Sequence, residues 1–327
     1  MKKIFGLLLI GICLFSQVEA KDYLVDRVLD TGNLEDSLYD VAFNSKSDQI
    51  AAGGSGRVIH FWDLAKDTHL VSQPPSKTVG KVSKNDNDPI IRIVFSNDNL
   101  YVVALYERYG PNAFAPMLPE RPLIPKVGNK TNRSALWYDM LNEKTYTSNI
   151  AEISNGSVGP VMAGWNVFKK GRIHQYGGWR LTLNNNGKIR GLDKGIKTKV
   201  SEEGGFQRIV ATPTWVAVTK KQAKETDSAP NLKVISQKTG ELMWEKRITQ
   251  STSNNLELSE GAEFLFIGTP GAILILDSLT GEEKGRLVSG DYQTGRMSLS
   301  PDKKTLAVAG EGKVLIWDWE KINAELR

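Results

Sequence analysis

Cysteine is nearly missing from this 327-residue chain: Cys13 is the only one, and it lies in an apolar stretch at the N-terminus. A protein held together by disulfides is therefore excluded, as are thiolate chemistry and a cysteine-ligated zinc site. Histidine is almost as scarce. His60, His69 and His174 are scattered along the sequence, and no spacing among them supports a Ser–His–acid nucleophile system. After Lys21 no segment is apolar enough to enter a membrane. The 42 Lys and Arg outnumber the 37 Asp and Glu only slightly, and they form no dense basic run, which argues against nucleic acid as a partner.

The first twenty residues have the layout of an export signal. Lys2 and Lys3 form a basic start, Ile4 to Phe15 an apolar core, and Val18-Glu19-Ala20 a cleavage-type end. Ile12, directly before Cys13, is not the small residue that a lipoprotein signal needs there. The expectation is a signal peptide over 1–20, cleaved so that the mature chain starts near Lys21 without any cysteine. A basic start and a cysteine-free body fit a bacterial envelope, so the expected location is the periplasm or the exterior.

What the remaining chain does contain is a pattern returning near its two ends. Val41 to Leu64 reads VAFNSKSDQIAAGGSGRVIHFWDL, and Met297 to Trp319 reads MSLSPDKKTLAVAGEGKVLIWDW. Each is a short apolar run, a polar turn, a second run, a glycine turn, and a third run ending in Trp-Asp. Six such units can be traced, with ends at Asp63, Asp139, near Asp193, Ser236, Asp277 and Asp318. The last four ends are about 41–43 residues apart, a spacing that signals the blades of a β-propeller. The expected fold is all-β, a single propeller over 21–327, six-bladed with seven blades as the alternative. The last unit lacks an outer strand, since Lys321 to Arg327 is short and helix-like. Tyr23 to Leu29 alternates polar and apolar residues and is expected to close the ring by pairing with Lys313 to Asp318 in the last blade.

The first and last units resemble WD repeats, with Gly56 and Gly312 in the turn before the strand that ends in Trp-Asp. The fourth and fifth resemble the quinoprotein-type propeller repeat, in Leu232 to Trp244 (LKVISQKTGELMW) and Ile273 to Lys284 (ILILDSLTGEEK). None of the three histidines follows a glycine, so the Gly-His pair of the eukaryotic WD type is missing. The resemblance covers nearly all of the mature chain and implies a scaffold like the small exported propellers that bind partners. It transfers no site and no cofactor.

Individual motifs reduce to structure. Gly53-Gly54-Ser55-Gly56 lacks the lysine and helix of a phosphate loop and is expected to be a hairpin turn whose glycines supply positive φ. Asn85-Asp86-Asn87-Asp88 lacks the glycine of a calcium loop and is followed by Pro89. Asp63, Asp139 and Asp318 recur at equivalent strand ends, which suits a structural job in each blade better than catalysis. Trp137, Trp165, Trp179, Trp215, Trp244, Trp317 and Trp319 are expected mostly between blades. The departure from this regularity is residues 107–133, a long insertion in the second unit with five of the thirteen prolines. Tyr109, Phe114, Met117 and Leu118 with Arg108 and Arg121 are the candidate partner-binding residues, and a cap over one propeller face is the alternative role. The sequence thus points to a non-catalytic exported scaffold for a protein or an envelope polymer, without cofactor or metal. The alternative is a quinoprotein-type enzyme using the central channel.

Overall fold

The structure, a computed structural model, describes residues 20–33, 37–55, 58–72, 77–78, 90–95, 99, 101–106, 134–140, 144–149, 172–176, 179–183, 189–191, 206–220, 229–248, 256–290 and 295–327. The described residues form six sheets, and nearly all of their regular structure is strand. Sheet I is the meander Leu38–Phe43, Gln49–Gly54, His60–Asp63 and Thr68–Val71. Sheet II comprises Ile90–Phe95, Tyr101–Tyr106, Ser134–Asp139 and Lys144–Asn149, with Lys77–Thr78 parallel beside the last, and sheet III comprises Arg172–Tyr176, Trp179–Leu183 and Ile189–Gly191. Sheet IV runs Phe206–Ala211, Trp215–Lys220, Leu232–Ser236 and Leu242–Lys246. Sheet V runs Leu256–Leu258, Phe264–Thr269, Ala272–Asp277 and Glu283–Val288. Sheet VI holds Met297–Leu299, Thr305–Ala309 and Lys313–Asp318, with Arg27–Asp30 as its outer strand. A helix, Trp319–Leu326, follows in place of a further strand.

Sheets IV, V and VI pack face to face in turn, sheet VI packs on sheet I, and sheet I on sheet II. One apolar cluster joins sheets IV and V through Val210, Trp215 and Leu232 against Leu258, Leu265 and Ile267. A second joins V and VI through Phe266, Ile273 and Leu287 against Leu306, Trp317 and Trp319. A third fills the space between VI and I, and a fourth that between I and II. Strands covered on both faces have no use for alternation, so Phe264–Thr269 is buried throughout, while the outer strand Thr68–Val71 is exposed throughout. Where neighbouring sheets approach most closely, only small residues fit. A Cβ on Gly53 would lie 2.9 Å from Ile90 Cδ1, and Ala51, Ala52, Ala307 and Ala309 are fully buried. The wider gaps take indoles: Trp215, Trp317 and Trp319 are buried, as expected, whereas Trp137 and Trp179 are placed only by their backbones and Trp165 lies outside the described residues.

Two expectations are corrected. The N-terminal segment does not enter one blade as a single strand. Arg27–Asp30 pairs antiparallel with Lys313–Ile316 in sheet VI, whereas Lys21–Tyr23 pairs parallel with Gly285–Leu287 of sheet V. The chain changes sheets at Asp26, whose carboxylate accepts the Asp318 N–H at 2.8 Å. Gly53 and Gly54 are likewise not turn residues with positive φ. They end the strand Gln49–Gly54, where the Ser37 backbone presses so close that a Cβ on Gly54 would sit 1.7 Å from its carbonyl oxygen. The positive φ falls instead on Gly312 (63°), Gly240 (79°) and Gly281 (74°), the glycines of the resembled repeats.

Candidate functional site

The strand-end carboxylates are consumed in building turns. Asp63 Oδ1 accepts the N–H groups of Ala65 and Lys66, and Asp277 Oδ1 accepts those of Leu279 and Thr280. Asp318 Oδ1 caps the C-terminal helix by accepting from Lys321 N at 3.0 Å. Ser236 does the same work with a hydroxyl, accepting from Thr239 N. After each of Ser236 and Asp277 the Thr-Gly-Glu turn repeats, with the threonine hydroxyl accepting from the glutamate N–H at 3.2 Å. At Asp63 the Lys66 ammonium, 2.9 Å away, and the Lys66 N–H hold the carboxyl below the usual carboxylate range. Short polar side chains at strand ends compete for local backbone donors in this way, hence their preference for such sites. Asp139 ends the equivalent strand of sheet II.

His60, Trp62 and His69 share the face of sheet I turned toward sheet VI. His60 Nδ1 and His69 Nε2 are 3.2 Å apart, so one neutral ring donates to the other, and Trp62 lies parallel to His69 with centroids 4.8 Å apart. Desolvation lowers the pKa of His69, against the opposing pull of Asp30 in sheet VI. His174 belongs to the inner strand of sheet III. On the opposite face of sheet I, a cleft of about 190 Å³ opens toward sheet II between Phe61, Leu70 and Met140. Its charged groups, Asp63 and Lys66, already pair with each other.

Ionisable groups do meet at the inner strands. In sheets I, II and IV the inner strand carries a bulge at the same place, between Leu38 and Asp40, Ile90 and Arg92, and Phe206 and Arg208. The residue after the bulge opens a five-residue frame that ends at the turn: DVAFN from Asp40, RIVFS from Arg92 and RIVAT from Arg208. Arg296 opens the corresponding frame, RMSLS, at the start of sheet VI. The bulge frees backbone groups for the neighbouring sheet. Arg296 N–H donates to the Tyr39 carbonyl at 3.1 Å, and Ile93 N–H donates to Asp40 Oδ2 at 2.7 Å. Asp40 Oδ1 stands 3.8 Å from Arg296 Nε, with the carboxylate 3% and the arginine side chain 23% exposed. The sequence reading missed these positions. They become visible only when the inner strands are aligned on the polar residue that ends each frame.

The candidate residues Arg108, Tyr109, Phe114, Met117, Leu118 and Arg121, the whole insertion 107–133, the Asn85–Asp88 cluster and residues 1–19 lie outside the described residues. Among the described residues, no group of three or more His, Cys, Asp or Glu is placed to hold a metal, and no helix is long and apolar enough to cross a membrane. No protein-family model matches the chain, and no curated protein matches it. Among solved structures, it is similar to the β-propeller domain of Myceliophteria thermophila Cps50 (Swd1), at 10% identity and a TM-score of 0.49, over 90% of this chain and 99% of that one.

Proposed function

We propose that this chain is an exported, non-catalytic β-propeller that serves as a binding scaffold for another protein. Six blades are assigned to it, with the ring closed by Arg27–Asp30 as the outer strand of the last. The observation that carries this reading is the repeated use of polar groups for construction. Asp63, Ser236, Asp277 and Asp318 perform one turn-capping task at equivalent places. A catalytic acid–base pair is unique and differentiated by its surroundings, whereas these groups recur and are matched. Export to the periplasm or the exterior is supported by Lys2, Lys3, the apolar Ile4 to Phe15 and the Ala20 end.

The insertion 107–133 supplies the partner contact, with Tyr109, Phe114, Met117 and Leu118 as apolar anchors and Arg108 and Arg121 at their rim. Crosslinking from the native envelope, with wild type beside a variant whose 107–133 segment is replaced by a short glycine turn, tests this directly. A protein captured by the wild type and lost in the folded variant is the expected result. Equal capture by both removes the insertion from the interface, and capture of nothing by either overturns the scaffold.

A further inference from the structure

We infer that the outer edge of sheet I, Thr68–Val71, takes up an extended, uncharged segment of a partner protein as a parallel fifth strand, which deepens the scaffold reading and rests on it. Two other sheets already carry such a strand, and in one register. Lys77 lies opposite Tyr146 and Thr78 opposite Thr147 in sheet II, as Lys21 lies opposite Gly285 and Asp22 opposite Arg286 in sheet V. Tyr146 and Gly285 in turn pair with Trp137 and Ile275. Each of these stands two residues before the aspartate that ends the third strand, Asp139 or Asp277. In sheet I that aspartate is Asp63, the matching pair is Phe61 with Leu70, and the next is His60 with Val71. A fifth strand there begins opposite Leu70 and runs past Val71.

The backbone of this edge is set to receive it. Ser72 N–H donates inward to the Ile59 carbonyl at 2.8 Å. Bonding alternates along an antiparallel pair, so Leu70 also bonds inward while His69 and Val71 turn their N–H and C=O groups outward. Among the outer strands of sheets I, II, IV, V and VI, Thr68–Val71 alone has no charged residue, and charge is a common guard of an edge against a further strand. All four of its residues are exposed. The charges at its start are matched, Asp63 by Lys66 and Asp67 by Arg27. A neutral segment therefore complements this edge, held by main-chain hydrogen bonds. The first and third residues of such a strand share the face of Leu70, which lines the cleft with Phe61 and Met140, so apolar residues fit at both. The chain leaving Val71 is not the occupant, because it is already paired on sheet II through Lys77–Thr78.

The test is fluorescence anisotropy of a labelled, end-blocked Ser-Val-Thr-Val-Ser peptide with the full mature chain, titrated into the millimolar range. In the inferred register both valine N–H groups donate to the edge, at the His69 and Val71 carbonyls, and the threonine N–H points away. Binding by wild type is expected to weaken about tenfold or more when both valine nitrogens are methylated, and less than about twofold when the threonine nitrogen is. Val71→Pro removes an outward donor and no bond within the sheet, and is expected to weaken binding about tenfold as well. The methylated peptides need no variant, so they decide the question even where Val71→Pro does not fold. No binding by wild type, equal effects of the two methylations, or unchanged binding by folded Val71→Pro overturns the edge. A dimer of the free protein that Val71→Pro dissociates makes the occupant a second copy. Peptide binding that rises several-fold when 107–133 is replaced by a glycine turn makes the occupant that segment. Either outcome overturns a partner strand. Envelope crosslinking keeps the two readings apart: a captured partner without peptide binding ends this edge and leaves the scaffold standing, and peptide binding without any captured partner does the reverse.

Discussion

Sheets I and V share one four-strand plan and are finished in opposite ways at the outer edge. In sheet V the edge strand Glu283–Val288 receives Lys21–Tyr23 as a parallel fifth strand, and Tyr23 is buried against the core. In sheet I the edge strand Thr68–Val71 has no further strand beside it among the described residues, and Leu70 is 56% exposed. Sheet I holds its outer end by contacts on its face instead: the His60–His69 hydrogen bond, the stacked Trp62, and Arg27, which donates to the Leu64 carbonyl and pairs with Asp67. One edge is thus secured by a remote piece of chain and the other by side chains reaching across to the neighbouring sheet. Sheet II repeats the device of sheet V, with Lys77–Thr78 parallel beside Tyr146–Thr147, so the outer edges follow more than one plan.

The largest expected effect separates the two designs. Starting the chain at Thr31 removes Lys21–Tyr23 from sheet V and Arg27–Asp30 from sheet VI, unburies the partners of Tyr23 and Leu29, and opens two strand edges. The lost burial and hydrogen bonds amount to about 5 kcal/mol or more, comparable with the whole stability of a domain. The truncated protein is expected to aggregate or to show no cooperative thermal transition by calorimetry; a midpoint within a few degrees of wild type refutes the seam.

Gly285→Ala sharpens the contrast by touching sheet V alone. Its Cβ would lie 2.9 Å from Tyr23 Cε2 and 3.0 Å from the Lys21 carbonyl oxygen, so the fifth strand must move, at a cost of about 1–3 kcal/mol. Hydrogen exchange is expected to quicken at Lys21–Tyr23 and stay slow at Arg27–Asp30. Equal quickening of both segments would show that they act as one unit.

The smallest effect belongs to sheet I. His69 has its pKa lowered by desolvation, so the folded protein disfavours its charged form. Its contribution is intact above the ordinary imidazole value, near pH 6.5. It declines as pH falls from there toward the folded value, because the unfolded chain takes up the proton first. Wild type is therefore expected to lose slightly more thermal stability than His69→Gln between about pH 7.5 and pH 5.5. Asp63, whose carboxyl is held low by Lys66, stays charged through that window and does not obscure it. Identical pH profiles would remove His69 from the account.

Much of this arrangement was legible from residue order. The Trp-Asp and Thr-Gly-Glu marks located the third strand of four sheets, because the turn after it needs a short acceptor and, in the Thr-Gly-Glu case, a glycine of positive φ. The Lys21–Tyr23 strand was not legible. Three residues paired to a strand some 260 positions away in sequence carry no periodic signal of their own. Gly54 was misread for a related reason, since a glycine demanded by a close backbone approach looks the same in sequence as one demanded by a turn. The equivalence of Asp40, Arg92 and Arg208 escaped because bulges shift the alternation by one residue, which hides matching positions until the strands are aligned.

Lys21 and Glu325 share an ion pair across 304 positions of sequence, and Arg27–Asp30 completes the sheet that Lys313–Asp318 begins. The order of synthesis gives this clasp a consequence in time. Sheets I to V can assemble as they emerge, but the strand made first must wait, unpaired, for the strand made nearly last. The entropic cost of that long closure grows only with the logarithm of its length, so the delay does not weaken the finished seam. It sets an interval in which Tyr23, Val28 and Leu29 are open to other contacts, and Arg27–Asp30 stays without its sheet partner until Lys313–Asp318 is released.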